Sequence, residues 1–312
     1  MATLPSLFFS IPILLSGSHE VIVENIYLAN DDLSRRQRVS LSYQAALTWH
    51  RNLHGLTRIS WVTWIITIST IALWCFTAYQ VALAIGAHSL HDILMNVLSN
   101  AINIQDKDND ALTSVLTAYG AKDNSLIMAG QYWRFVTPIF LHANLLHVGL
   151  NMLNFFVLGI IIERLVGHLR YLLIYLVTGV VSIIASFHFA PQEVSVGASG
   201  AIFGLVGAYS LFILAHRRAF PRGGIPALTW IVLVIGVNLS IGLFIANVDN
   251  YAHVGGLLCG CLLGWWFTPR YVLSPGKQLI DAHSLSRRWP LALLTITGTL
   301  VLAIIALHIT GG

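Results

Sequence analysis

Four polar side chains lie inside stretches that are otherwise too apolar for them. His147 and Asn151 stand four residues apart, Ser199 falls in Val196-Gly197-Ala198-Ser199-Gly200-Ala201-Ile202-Phe203-Gly204, and His253 follows Asp249 and Asn250. Polar groups are costly in lipid, so each one calls for a function or a partner. A serine hydroxyl beside a neutral imidazole can attack a carbonyl while the ring takes its proton, and the ring can then hand that proton to the leaving group. Ser199 and His253 supply those two parts. The tetrahedral adduct needs hydrogen-bond donors aimed at its oxyanion, for which the His147 ring, the Asn151 amide and the backbone N–H of Ser199 are candidates. Asp249, one turn before His253, is expected in water, which leaves a serine–histidine pair without an acid. A bland reading stands beside this one. Glycine and alanine at four-residue spacing mark packing seams in membrane helices, asparagines there act as helix glue, and a lone histidine near a span end is commonly interfacial. The glycine that a nucleophile elbow needs two residues after the serine is replaced by Ala201.

The elements that carry these residues separate the two readings. Seven runs are long enough to cross a membrane, at about 20 residues per span: roughly 60–85, 139–162, 169–189, 197–215, 227–246, 251–267 and 289–309. With the N-terminus in the cytoplasm, fourteen of the 17 Lys and Arg fall on the inside and only Lys107, Lys122 and Arg134 outside, which sets the expected orientation. The second, fourth and sixth runs then descend in the same direction to Arg164, Arg217 and Arg270. At about 1.5 Å per residue, His147, Ser199 and His253 stand about 26, 27 and 26 Å above those charges. In a hydrocarbon core of about 30 Å all three share one level, a little below the outer surface. A packing seam has no reason to align them, whereas a site between three parallel helices requires it. Asn154, seven residues after His147, is expected on the same polar face. Gly200, Gly204 and Ala208 share a period with Gly256, Gly260 and Gly264, so the fourth and sixth runs are expected to lie tightly together.

The chain is 56% hydrophobic and 10% charged, where soluble domains carry about a quarter charged residues. That excludes a soluble domain and predicts an all-α polytopic membrane bundle. The net charge of +4 comes from residues in short loops at span ends, a topology signal and not a nucleic-acid surface. Cys75, Cys259 and Cys261 fall in apolar runs and argue for neither disulfides nor a metal site. Residues 1–57 read as a mostly polar cytoplasmic extension, whose apolar patch at 4–15 lacks the basic flank of a signal sequence. Residues 58–270 form the core, with a long outside loop at 86–138, and 271–312 add a cytoplasmic loop and the seventh span. In the long loop, apolar residues from Leu90 to Ile104 recur at helical spacing and predict a helix along the membrane surface. Asp106, Asp108 and Asp110 read as a solvated turn, and Trp133-Arg134 as an interfacial anchor.

Taken together and in this order, Gly120-Ala121-Lys122-x-Asn124, Trp133-Arg134, His147-x-x-x-Asn151, Glu163-x-x-x-Gly167-x-x-Arg170, Gly197-Ala198-Ser199-Gly200 and Ala252-His253-x-x-Gly256 resemble the rhomboid intramembrane serine proteases, over about 119–264. The resemblance implies a six-helix core, here with a seventh C-terminal transmembrane helix, and hydrolysis of peptide bonds within or beside the transmembrane segments of other membrane proteins. It implies Ser199 as nucleophile, His253 as general base and acid, His147 and Asn151 as oxyanion donors, and no cofactor or metal. It implies that Phe203 stacks on His253, that Gly197, Gly200, Trp133 and Arg134 support the site or its substrate, and that the fifth span and the loop after it gate entry. The expected setting is a multi-pass protein of a bacterial plasma (inner) membrane, N-terminus cytoplasmic and C-terminus outside. Its expected partners are transmembrane protein substrates and the lipid bilayer, with no nucleic acid. The alternative is a catalytically inactive rhomboid-like protein that binds transmembrane clients; such relatives typically lack the serine or the histidine, and both are present. A small transporter would want charged residues deep in several spans or inverted repeats, and neither occurs.

Overall fold

The computed structural model describes residues 59–99, 110–217, 224–244, 248–273 and 279–311 of the chain. The N-terminal extension, Asp106, Asp108 and the inside charges Arg218, Arg222 and Lys277 lie outside the described residues. The chain runs through α1 (Trp61–Ala84), the short loop helices α2 (Leu90–Ser99), α3 (Asp110–Ala118) and α4 (Asn124–Met128), and two 3-10 turns at Tyr132–Phe135 and Thr137–Phe140. There follow α5 (Leu145–Val166), α6 (His168–Phe189), α7 (Ser199–Ala215), α8 (Ile225–Phe244) and α9 (Asn250–Phe267). A two-stranded antiparallel hairpin, β1 (Tyr271–Leu273) and β2 (Leu279–Asp281), leads into α10 (Leu285–Gly311).

A helix occupies most of each of the seven apolar runs. On length and composition alone α1, α5, α6 and α10 suffice to cross a membrane, while the described apolar parts of α7 and α8 are shorter. In α9 the apolar run is diluted by Asn250, His253 and glycines. The shortness of α7 follows from its place. It has 17 residues and reaches about 26 Å, but residues 200–209 are all buried, so it is walled by other helices and presents little surface to lipid.

That burial depends on the absence of side chains. A Cβ on Gly256 would stand 2.0 Å from the Gly200 carbonyl oxygen, one on Gly260 2.0 Å from that of Gly204, and one on Gly264 2.7 Å from Ala208 Cα. The small-residue faces of the fourth and sixth runs therefore meet backbone to backbone, which gains dispersion energy where no hydrophobic effect drives association. Across the other side of α7, Gly200 abuts Ser182 and Gly204 abuts Thr178 of α6.

The end of the bundle away from Ser199 is tied by carboxylates. The fully buried Glu163 accepts from the backbone N–H of Val62 at 3.0 Å and of Thr63 at 2.8 Å, accepts from Thr63 Oγ1 at 2.6 Å, and lies 2.5 Å from His168 Nδ1. These bonds satisfy free amides of the first turn of α1 and complement its dipole. Gly167, at φ +88, ends α5 and turns the chain into α6. Arg170 donates to Asp281 Oδ2 at 2.7 Å and to the His283 carbonyl, Tyr271 Oη donates to the Leu165 carbonyl at 2.8 Å, and Arg288 to that of Trp266 at 2.6 Å. The hairpin and the start of α10 are latched in this way to the ends of α5, α6 and α9.

Three expectations are corrected. The second run is not helical from Ile139: Ile139 lies in the 3-10 turn that holds Pro138, Leu141 is extended, and Asn144 caps α5 by accepting the His147 N–H at 2.8 Å. His147 is consequently a first-turn residue. Asp110 does not belong to a turn but starts α3, where an acid suits the helix dipole. Asn154 does not share the buried polar face. It is exposed and donates to its own Leu150 carbonyl at 2.8 Å, with no helix among the described residues covering it. In the long loop α2 takes up the first part of the helical spacing, with Leu90, Leu94, Met95 and Leu98 exposed, while Ala101 and Ile104 lie outside the described residues.

Candidate active site

The first turns of α5, α7 and α9 converge. Close contact between α7 and α9 brings Ser199 Oγ to 2.8 Å from His253 Nε2. Phe203, one turn after Ser199, lies parallel to the imidazole, with ring centroids 4.5 Å apart and 7° between planes. His253 is thus held on one ring face and at one nitrogen. Its Nδ1 is buried with no partner among the described residues. Asp249 does not supply one, since its Oδ1 accepts the Ala252 N–H at 2.9 Å as the N-cap of α9. Among the described residues the serine and imidazole meet without a carboxylate on the far side of the ring.

No side chain caps α7, which starts at Ser199 itself, so the free amides of its first turn and the positive end of its dipole surround the hydroxyl. Gly197 has φ +127, a conformation that favours glycine, and a Cβ there would stand 2.8 Å from His147 Nε2. Only glycine lets the His147 ring lie across the head of α7. Asn151 is buried one turn further along α5 and donates from Nδ2 to the His147 carbonyl at 3.0 Å. An anion beside Ser199 would meet the imidazole edge of His147, the Ser199 amide and the helix terminus together.

One residue here escapes the sequence reading. His142 is 1% exposed, its Nε2 accepts the Ala198 N–H at 3.3 Å, and its ring stands edge-on to His147 with centroids 5.0 Å apart. It sits five residues before His147 in non-helical chain, so no helical periodicity marks it. The Pro138 carbonyl accepts the Gly197 N–H at 2.9 Å, and the stretch 138–142 thereby holds the glycine and alanine that precede Ser199. Gly200 packs beneath the serine against Ser182 and the Ala252 carbonyl. Trp133 and Arg134 make their contacts elsewhere. The buried Arg134 guanidinium donates to the carbonyls of Thr117 at 2.7 Å and Ala121 at 2.8 Å and to Gln131 Oε1 at 2.8 Å, and lies 5.9 Å from the exposed Trp133 ring. Arg134 thereby ties the long loop together. Among the described residues no group of three or more His, Cys, Asp or Glu is placed to hold a metal.

A polytopic helical membrane protein with a serine–histidine pair at the heads of parallel, glycine-packed helices is the class that fold and site define. The family model for the rhomboid domain matches residues 129–270, which include His147, Ser199 and His253. The chain is 45% identical over 148 residues to rhomboid protease GluP of Bacillus subtilis, covering 47% of this chain and 28% of that protein. It is 38% identical over 154 residues to the mitochondrial RHOMBOID-like protein 6 of Arabidopsis thaliana, covering 49% and 50%. With RHOMBOID-like protein 5 of the same plant it shares 32% identity over 238 residues, covering 71% of this chain and 75% of the relative. The chain belongs to the rhomboid family. It spans half or less of the length of the first two of these relatives.

Proposed function

We propose that the chain is an intramembrane serine endopeptidase that cuts within or beside the transmembrane segments of other membrane proteins. The observation that carries this reading is the 2.8 Å contact between Ser199 Oγ and His253 Nε2 at the head of a buried helix. Ser199 Oγ attacks the scissile carbonyl as His253 Nε2 takes its proton. The oxyanion forms against the His147 ring, the Asn151 amide and the Ser199 N–H. Collapse breaks the C–N bond as the imidazolium protonates the leaving amine, and water, deprotonated by the same ring, releases the acyl group from Ser199. Phe203 keeps the imidazole in plane through the cycle. The arginine distribution supports a cytoplasmic N-terminus, with the Ser199 end of the bundle toward the outside.

A transmembrane helix hides its carbonyls in its own hydrogen bonds, so a substrate must unwind before Ser199 reaches one. Cleavage is expected near the outward end of the substrate span, after a small residue that fits beside Gly197 and Gly200, with glycine or proline within the next turn. Proline and glycine lower the unwinding cost by about 3 and 1 kcal/mol relative to alanine. The test labels the membrane-embedded protein with a fluorophosphonate and maps fragments of a single-span substrate by mass spectrometry. Labelling and cleavage that vanish in Ser199→Ala are expected. Labelling that survives that change would place the nucleophile elsewhere, and a wild-type protein that takes no label and binds the substrate tightly without cutting it would put the inactive client-binding reading in its place.

A further inference from the structure

The segment that joins α6 to α7 delivers Ser199 but has no regular structure of its own. Its path is set from outside. On one flank the Pro138 carbonyl and His142 hold Gly197 and Ala198. On the other flank stands Lys122, whose side chain is completely buried. Its Nζ donates to the carbonyls of Ala190 at 2.5 Å and Glu193 at 2.9 Å. Its backbone exchanges two hydrogen bonds with Ser195, N–H to carbonyl at 3.0 Å and carbonyl from N–H at 3.2 Å. Lysine is almost never fully buried unless it is partnered, because taking an ammonium out of water is costly. The chain bears that cost against carbonyls nine and six residues before Ser199.

We propose that Lys122 is a positioning residue for the Ser199 site: its side chain fixes the course of residues 190–195, and through them the placement of Gly197 and Ser199 against His147 and His253. The inference rests on the reading of Ser199 as nucleophile. The strap is short and anchored on both flanks, so slack on the Lys122 side passes directly to Gly197. Misplacement by about 1 Å at a reacting group costs about 10²-fold in rate. Substrate contacts along the span are not touched by it. The loss therefore belongs in kcat and not in KM.

The experiment uses the full chain in liposomes with a single-span substrate. Lys122→Met keeps the length of the apolar stem and removes the donors. It is expected to lower kcat by 10-fold to 100-fold with KM within twofold of wild type, and to slow fluorophosphonate labelling of Ser199 equally, at a temperature where circular dichroism shows both proteins folded. Glu163→Gln, at the opposite end, is the control: it lowers the melting temperature and leaves kcat per folded molecule unchanged. Wild-type kcat and labelling rate in Lys122→Met overturn the proposal. Should that variant not fold, Lys122→Gln retains N–H donors on a stem one atom shorter. Its kcat is expected to fall at least threefold at unchanged KM, and wild-type kcat in it is equally fatal. A wild-type protein that shows no Ser199-dependent labelling fails at the earlier step, and the positioning role falls with the nucleophile.

Discussion

The two ends of α5 are built from different interactions. At one end the Glu163 carboxylate is saturated by two backbone amides, a threonine hydroxyl and His168, and Arg170 with Asp281 fastens the hairpin that leads to α10. At the other end His147 lies among neutral groups, and the buried atoms His142 Nδ1, His253 Nδ1, Asp249 Oδ2 and Asn250 Oδ1 lack partners among the described residues. Hydrogen bonds to charged groups contribute about 1.5–3 kcal/mol each, whereas a buried polar atom left without one costs about 1–3 kcal/mol. The carboxylate end also leaves Arg170 Nε, Thr268 Oγ1 and His283 Nδ1 without partners among the described residues, but it gains charged hydrogen bonds around Glu163 and Arg170 that the serine–histidine pair lacks, a division expected where a site must keep groups ready for a substrate. The glycine seam of α7 and α9 runs between the two ends, and the close approach it allows sets the 2.8 Å contact at the serine end without help from the carboxylates.

If the ends are separable in this way, substitutions at each should move different measurements. The largest effect is expected from Ser199→Ala and His253→Ala. Each should reduce cleavage by about 10⁴-fold or more, and the double variant should be no worse, since the pair acts as a unit. Melting should be unchanged. A double variant much slower than either single one would separate the two residues functionally. Next come His147→Ala and Asn151→Ala, each expected to lower turnover by about 10²-fold with little change in substrate binding, the usual consequence of losing one oxyanion donor. Full turnover in both would reduce them to packing residues and shrink the site to Ser199, His253 and the helix terminus. Glu163→Gln should do the converse. It should destabilise the folded protein by about 2–3 kcal/mol in a denaturant titration, through weakened bonds to the start of α1. A fall in kcat per folded molecule would mean that the ends are coupled and the division is false.

Much of this arrangement is legible in the sequence, because lipid imposes strong rules. Apolar length gives the seven helices, and residue counts from Arg164, Arg217 and Arg270 put His147, Ser199 and His253 on one level, where their first turns do meet. The small-residue periods of α7 and α9 announce their contact. What escapes is set by chain outside helical periodicity. Ile139 to Leu141 are apolar enough to read as span, but the Asn144 cap at Leu145 decides where α5 begins, and a cap is a one-residue signal. His142 lies in that unperiodic stretch and its bond to Ala198 crosses 56 residues of chain. Lys122 counts among the outside charges by composition, and only the fold shows it turned inward. Asn154 errs in the opposite sense: its spacing places it with Asn151, but spacing does not reveal where the covering helix ends.

The smallest expected effect tests Lys122, a cation buried at the serine end. Burial pushes the Lys122 ammonium down to about 8, against the pull of Asp249, Glu193 and Asp123, where lysine ordinarily titrates at about 10.4. Between those values the unfolded chain holds a proton that the folded chain has released, so stability should rise with pH across that window. Below about 8 both states carry the proton and this contribution to the slope vanishes. Other groups titrate in the same range, and the difference between wild type and Lys122→Gln isolates the lysine. Denaturant midpoints measured in one detergent from pH 7 to 10 should show a difference that is flat to about pH 8 and then shifts in favour of wild type. A difference that stays flat to pH 10 would mean that Lys122 keeps its water in the folded protein. Its hold on residues 190–195 would then be no tighter than a surface contact, and the buried cation would have to be struck from the account of how the serine end is held.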